Sequence, residues 1–259
     1  MEYENIKVGA DPELFLMDHT GKFISSVGLI GGTKEEPLPI DGYGNCLQED
    51  NVSVEFNIAP ANNKQEFVAS LGLVINEIGR RMDEKNLYLA IVPAAEFDWD
   101  QLQTPASQTF GCEPDFNAWT GEINPKPMCD NPQLRSAGGH VHVGFDDVTQ
   151  TKQMKLMRAL DVFLGVPSVN YDKDEQRRKL YGKPGAFRPK SYGAEYRTLS
   201  NFWIATQDMQ EWVYDQVMKA ISFLNAGGAI DFVDEAFVKK AIINKEQEAY
   251  SYLKGRYCF

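Results

Sequence analysis

A chain of 259 residues is long enough to bury a substantial core, and 43% hydrophobic against 24% charged residues is the composition of an ordinary globular protein. The formal net charge of −11 argues against nucleic acid as the default partner, although divalent cations and a few placed arginines would still let so acidic a protein bind ATP. The four cysteines (Cys46, Cys112, Cys129, Cys258) form no Cys-x-x-Cys pair, which argues against a thiolate zinc site and fits reduced thiols in a cytoplasm.

The first residues carry acids and no apolar run, and no stretch approaches the roughly 20 apolar residues of a membrane helix. A cytoplasmic protein without signal peptide or membrane span is therefore expected. Ile6 to Met17 reads as two strand pieces hinged at Pro12, whose missing N–H suggests a bulge or a sheet edge. Asp11 and Glu13 share one face of it, and Leu14 and Leu16 the other. Asp18-His19-Thr20-Gly21 is a turn, so His19 is expected to be exposed and without a role. Residues 28–50, rich in Gly, Pro, Asp and Asn, read as a long loop covering a site. Within it, Gly28-x-x-Gly31-Gly32-Thr33-Lys34 resembles a phosphate loop only loosely, because the Walker spacing is missing. From Asp50 to Pro60, Val52, Val54, Phe56 and Ile58 alternate with Asn51, Ser53, Glu55 and Asn57, a half-buried strand. Glu55 in the middle of its polar face is either solvated or a ligand.

Asn63-Lys-Gln-Glu66 fits a capping box, with a helix to about Lys85 whose inner stripe is Phe67, Leu71, Val74, Ile75 and Ile78. Leu87 to Val92 is a short strand, and 94–134 is an irregular excursion containing Cys112-Glu-Pro-Asp115, a candidate lid. In Arg135-Ser-Ala-Gly-Gly-His-Val-His-Val-Gly-Phe145, His140 and His142 alternate with Val141, Val143 and Phe145, so both imidazoles point to one strand face. Gly138, Gly139 and Gly144 leave room there for something large. Two readings are open: hydrogen-bonded histidines on a polar face, or a metal or phosphate site, which the acidic strands favour. Thr149 to Leu164 is an amphipathic helix with Met154, Met157, Leu160 and Leu164 inward, and Asp172 to Tyr181 a charged one with Arg177, Arg178 and Lys179. The basic loop Lys183 to Lys190, including Arg188, is either solvated or an anion-binding loop. Ala194 to Ser200 is a strand with Glu195 and Arg197 on one face, and helices at about 207–225 and 231–254 close the chain. No repeat or linker interrupts it, so a single domain over 1–259 is expected.

If these strands form one curved antiparallel sheet, an α+β architecture, its concave face gathers Asp11, Glu13, Glu55, His140, His142, Glu195 and Arg197. Clustered carboxylates stay ionised only beside cations, and oxygen-rich ligands with one imidazole suit Mg²⁺ or Mn²⁺.

The set Gly9-x-Asp-Pro-Glu13, Asp50-Asn-x-x-x-Glu55-x-Asn-x-x-Pro60, Gly138-Gly-His-Val-His-Val-Gly144 and Glu195-Tyr-Arg197 resembles the carboxylate–amine ligases of the glutamine synthetase and glutamate–cysteine ligase superfamily, nearest its phage-type COOH–NH2 ligase type 2 branch. The resemblance implies a half-barrel like the glutamine synthetase catalytic domain, with helices on the convex face. It implies Glu13, Asp11, Glu55, Glu195 and His140 as ligands of two or three Mg²⁺ ions. His140, His142, Lys183, Arg188 and Arg197 would contact ATP, with Arg197 and Arg188 stabilising the transferred phosphoryl oxygens. Asp11 stands where a Glu-x-Glu first strand has glutamate, so its shorter side chain is expected to reach a metal through water. The implied reaction is ATP-dependent amide or isopeptide formation through an acyl phosphate, joining a small-molecule or peptide carboxylate to an amine, in a host cytoplasm if phage-encoded. The alternatives are a metal-dependent hydrolase using His140, His142 and acids, and an inactive nucleotide-binding module.

Overall fold

The computed structural model describes residues 2–108, 114–230 and 233–259. Cys112, Glu113, Asp231 and Phe232, which the sequence reading placed in the excursion and the last helix, lie outside them. The strands are β1 (Lys7–Met17), β2 (Phe23–Ile24), β3 (Leu38–Pro39), β4 (Cys46–Asp50), β5 (Ser53–Asn57), β6 (Tyr88–Ala90), β7 (Ala94–Glu96), β8 (Phe116–Asn117), β9 (Leu134–Ser136), β10 (Gly139–Gly144), β11 (Ala186–Lys190) and β12 (Gly193–Tyr196). The helices are α1 (Lys64–Asp83), α2 (Pro105–Gln108), α3 (Gln150–Leu160), α4 (Val166–Ser168), α5 (Gln176–Leu180), α6 (Gln207–Asn225), α7 (Glu235–Ile242) and α8 (Gln247–Tyr257). The fold is α+β. One open antiparallel sheet runs β3-β4-β5-β1-β10-β12-β11-β8, with β2 and β6 added at the far end of β1, and β7 pairs with β9 separately. The expectation of a large antiparallel sheet is borne out.

Period-two alternation sorts β1 into two faces. Val8, Ala10, Leu14 and Leu16 are buried in the main core, joined by Val54 and Phe56 of β5 and by Val141 and Val143 of β10. Helix α3 packs over β11 and β12, and α6 packs on α1 and α3, which closes this core. On the other face Phe15 belongs to a smaller cluster with Phe97, Ala95, Leu102 and Val52, so the 94–102 segment caps one end of that face. Between that cap and the N-terminal end of β1 lie Asp11 and Glu13.

Several local expectations hold and several need correction. Asn63 caps α1 by accepting from Glu66 N–H at 2.9 Å, while Glu66 reaches back to Asn62 N–H at 2.9 Å. His19 is exposed. Pro12 marks neither a hinge nor an edge: β1 is one eleven-residue strand at the centre of the sheet. Its absent N–H falls at Pro12↔Gly139, the last pair of the β10 ladder, where losing a donor costs least. Residues 46–50 are not loop but strand, turning into β5 through Asn51 at φ 56°. The excursion is partly woven into the fold, since β8 extends the sheet beside β11 and the Trp119 indole donates to buried Asp161 at 2.6 Å. Asp161 itself opens a π turn (Asp161–Gly165) that breaks the regular path of the helix read over 149–164. Arg177 and Arg178, read as part of a charged helix, are buried. The closing helix is two, α7 and α8, interrupted where Lys245 takes φ 54°.

Candidate active site

The register of the sheet brings the separated motifs together. Asp11 lies opposite His140, Gly9 opposite His142, and Glu13 opposite Glu55. His142 pairs in turn with Glu195, and Glu195 with Arg188, while Gln48 sits opposite Glu55 on its other side. Side chains at paired positions share a face. One row of polar groups therefore crosses six strands, opposite the apolar face that packs the core.

The row has two parts. Asp11, His140 and Glu195 are all buried and offer ligand atoms within 4.8 Å of one another, the one such set of three among the described residues. His140 Nδ1 lies 3.4 Å from Asp11 Oδ1 and 3.7 Å from Glu195 Oε1. Asp11, despite its short side chain, thus stands at the centre rather than at the margin. Arg197 Nη1 pairs with Glu195 Oε1 and lies 3.4 Å from His140 Nδ1, while Lys190 Nζ is 2.9 Å and Arg188 Nη1 3.5 Å from Glu195 Oε2. Burial and Asp11 both oppose ionisation of Glu195, yet Arg197 and the two imidazoles outweigh them and hold its carboxyl at about 2. Burial likewise opposes charge on Asp11, but His142 and His140 hold its carboxyl well below the usual carboxylate range. Burial and Arg197 together push His140 down to about 4, leaving a neutral imidazole with a lone pair to offer at neutral pH.

His142 differs. Its Nδ1 is hydrogen-bonded to the Tyr192 hydroxyl at 2.5 Å, while its Nε2 lies at ion-pair distance, 2.9 Å, from Asp11 Oδ1 without hydrogen-bond geometry. Burial opposes its charge, but Asp11 outweighs that and raises its pKa.

The second part is Glu13, Glu55 and Asp50. Here the hydrogen bonds come from neutral amides: Gly138 N–H donates to Glu13 Oε2 at 2.8 Å, and Gln48 Nε2 to Glu55 Oε2 at 2.6 Å. Burial, then Asp50, push Glu13 up to about 7, and burial with Asp11, Glu13 and Asp50 holds Glu55 well above the carboxylate range. This surplus of negative charge is what a divalent cation relieves, and the all-oxygen donor set suits Mg²⁺ or Mn²⁺. The residues present therefore fit the metal that the resemblance implies.

A pH dependence follows from the sign of these shifts. A carboxyl whose folded pKa lies above its unfolded value binds more protons when folded, so its contribution makes stability fall as pH rises between the two. For Glu13 that window runs from its ordinary 4.5 to about 7. His140, shifted the other way, opposes this between about 4 and 6.5. In metal-free protein, the melting temperature of Glu13→Gln relative to wild type should therefore climb from about pH 5 to about pH 8, and Mg²⁺ should shrink the difference. A constant difference across that range would contradict the crowding of acids at Glu13.

Beside Glu13 and His140 opens a cleft of about 630 Å³, including space open to solvent, whose wall carries Asp50, Asp115, Arg135, Arg177 and Arg197. Arg197 Nε is 3.5 Å from Asp115 Oδ2. Lys183 does not line this cleft. It is half-buried and lines a separate recess that shares Asp115 and Tyr181 as a wall. The glycine-rich stretch is not a phosphate cradle either: the N–H groups of Gly28, Ile30 and Gly31 all donate to Glu49, at 3.0–3.1 Å.

Two glycines of the His strand also have other work than admitting a ligand. A Cβ on Gly139 would meet Ser200 O at 2.3 Å and the Trp203 indole nitrogen at 2.5 Å, and one on Gly138 would meet the His140 ring at 2.3 Å. Gly139 lets β10 press against the 199–203 segment, and Gly138 makes room for His140 itself. Gly139→Ala should cost about 1–3 kcal/mol or more by overpacking, read by denaturant unfolding. A loss under about 0.5 kcal/mol would contradict that close approach.

Sequence reasoning missed Gln48, hidden in a stretch whose composition reads as loop, gave Asp50 no role although it heads one of the motifs, and missed Arg177 and Asp115, which only tertiary packing brings to the cleft. Gln48, Glu49 and Asp50 are three polar residues in a row, so no period-two signal marked that strand.

Comparison with known families bears on one part of this site. Residues 132–228 match the family model described as phage phiEco32-like COOH.NH2 ligase-type 2. That segment is similar to the carboxylate–amine ligases. It carries β10, β11 and β12, hence His140, His142, Arg188, Glu195 and Arg197, so the family resemblance read from the motifs holds there. Asp11, Glu13 and Glu55 lie outside the matched COOH.NH2 ligase segment, yet the sheet register sets them on the same face. No curated protein matches the chain. No helix among the described residues is long and apolar enough to cross a membrane.

Proposed function

We propose that the protein is an ATP-dependent carboxylate–amine ligase that makes an amide or isopeptide bond through an acyl phosphate. The supporting observation is the row of Glu55, Glu13, Asp11, His140, Glu195 and Arg188 assembled by register from both sides of the matched segment's boundary. Glu13, Glu55 and Asp50 on one side, and Asp11, His140 and Glu195 on the other, would hold the divalent ions. Bound Mg²⁺ supplies neutralisation of triphosphate charge.

The chain's own groups do the rest. Arg177 and Arg197, on the cleft wall, would stabilise charge that develops on the phosphoryl group, and Arg188, which does not line the cleft, supports Glu195 behind them. A substrate carboxylate oxygen bonds to the γ-phosphorus as the bond to ADP breaks. The amine nitrogen then bonds to the acyl carbon as the carbon–oxygen bond to phosphate breaks, and the amine releases its protons to the surroundings. Water must be kept out while the acyl phosphate persists, a task for the cleft wall that Asp115 and Arg135 supply. Lys183, in the adjoining recess, is placed for the outer part of a nucleotide rather than for the reacting phosphate. The substrates are a small-molecule or peptide carboxylate and an amine, and the setting is a cytoplasm.

The test is ATP-dependent phosphate release across pooled amino acids and polyamines, with Glu55→Gln as control. Release that needs Mg²⁺ and an amine, and vanishes in the control, supports the ligase. Tight zinc binding with hydrolysis that needs no nucleotide would move the assignment to a metal-dependent hydrolase.

A further inference from the structure

On the opposite side of the Asp11–His142 pair from the charged cleft lies a second recess, of about 640 Å³ including space open to solvent. The sequence builds it with glycines. Lys7, Gly9 and Asp11 share one face of β1, and His142 and Gly144 share that face of β10, with Gly9 opposite His142 and Lys7 opposite Gly144. Between the acid–imidazole pair and Lys7 the floor thus has no side chains. Ile58 and Tyr192 wall the recess, Asn57 adds one amide, and Lys7 is exposed at its rim.

The two cavities meet at one strand: His140 lines the cleft and His142 the recess, two residues or roughly 7 Å apart. A triphosphate needs the cations of the cleft. The recess, mainly hydrocarbon, suits the organic body of a substrate. We propose that this recess is the acceptor subsite, taking a primary amine carried on an apolar body with an anionic group at its far end. The amine end faces His142, which lines the recess with Asp11 behind it, where the nucleophile must lie to reach an acyl group activated in the cleft. The anionic end meets Lys7, four residues or roughly 13 Å along the strand from Asp11, which leaves room for a body of about six carbons once the side chains are counted. This assignment rests on the ligase reading.

The probe is 6-aminohexanoate, titrated by NMR into protein saturated with Mg²⁺ and a non-hydrolysable ATP analogue, with hexylamine and hexanoate as comparison ligands. A Cβ on Gly9 meets nothing nearer than His142 Cβ at 3.7 Å, so Gly9→Ala keeps the fold and Gly9→Leu fills the floor. The expected result is a shift of the Tyr192 and His142 ring signals, an affinity reduced slightly in Gly9→Ala and at least about tenfold in Gly9→Leu, and a loss of roughly threefold in Lys7→Met. Hexylamine should bind wild type about as weakly as 6-aminohexanoate binds Lys7→Met, and hexanoate should bind more weakly still. Nucleotide affinity should stay unchanged in all three variants. Binding indifferent to Gly9→Leu, no binding at all, or hexanoate binding as well as 6-aminohexanoate would overturn the acceptor assignment alone. Absence of nucleotide binding in wild type would overturn it together with the ligase reading.

Discussion

Glu55→Gln is expected to lower turnover by at least about a thousandfold while making the metal-free protein more stable at neutral pH. The two effects have one cause. Glu55 is half-buried beside Asp11, Glu13 and Asp50, and loss of solvent first, then each neighbouring negative charge, holds its carboxyl well above the usual range. A neutral amide of the same shape keeps the Gln48 contact and removes one of the repelling charges. It also removes a negative ligand from the place where a divalent cation would offset the rest. Melting temperature in chelator should therefore rise, Mg²⁺ should stabilise the variant less than wild type, and phosphate release should be lost. Near-wild-type activity, or a variant less stable than wild type in chelator, would contradict the picture of an acid cluster awaiting cations.

Arg197→Met should do the opposite to stability and the same to activity. Glu195 is fully buried and its carboxyl stays ionised through Arg197 first, with His140 and His142 behind it. Removing one partner of a buried pair leaves the other charge desolvated, at a cost of about 3–5 kcal/mol. Lys190 at 2.9 Å and Arg188 at 3.5 Å still reach Glu195 Oε2, so the lower end is expected, about 3 kcal/mol by denaturant unfolding. Turnover measured well below the melting transition should fall about a thousandfold, because Arg197 also faces the cleft where phosphoryl charge develops. The second substitution Glu195→Gln in the Arg197→Met background should recover part of the stability and none of the activity. A destabilisation under about 1 kcal/mol would mean that Arg197 does not carry the Glu195 charge.

How much of this was legible beforehand depends on the kind of information each residue carries. Period two sorted Asp11 and Glu13 from Leu14 and Leu16, Glu55 from Val54 and Phe56, and His140 and His142 from Val141 and Val143, and each assignment matches the observed face. Alternation fixes a face but not a neighbour. That Glu13 pairs with Glu55 while Asp11 pairs with His140 is a matter of register between distant strands, which no single strand encodes. The same limit hid that Asp11 lies within ligand distance of His140 and Glu195, whatever the length of its side chain. Composition misled at 46–50, where the Gly and Pro of 28–45 coloured the reading of a real strand carrying Gln48 and Asp50. Glycine misled at Gly139, since an absent side chain looks the same whether it admits a ligand or, as here, Ser200 and Trp203. Nothing in the charged helix marked Arg177 and Arg178 as buried, because burial of a cation follows from what packs around it, not from its own segment.

The central claim is that one face of the sheet is a divalent-cation and nucleotide site. Anomalous diffraction from crystals grown with Mn²⁺ and a non-hydrolysable ATP analogue tests it most directly. The expected result is manganese at Glu13 and Glu55, and between Asp11, His140 and Glu195, with the analogue's phosphates in the cleft beside Arg197. Manganese absent from both places while the analogue binds elsewhere would contradict it.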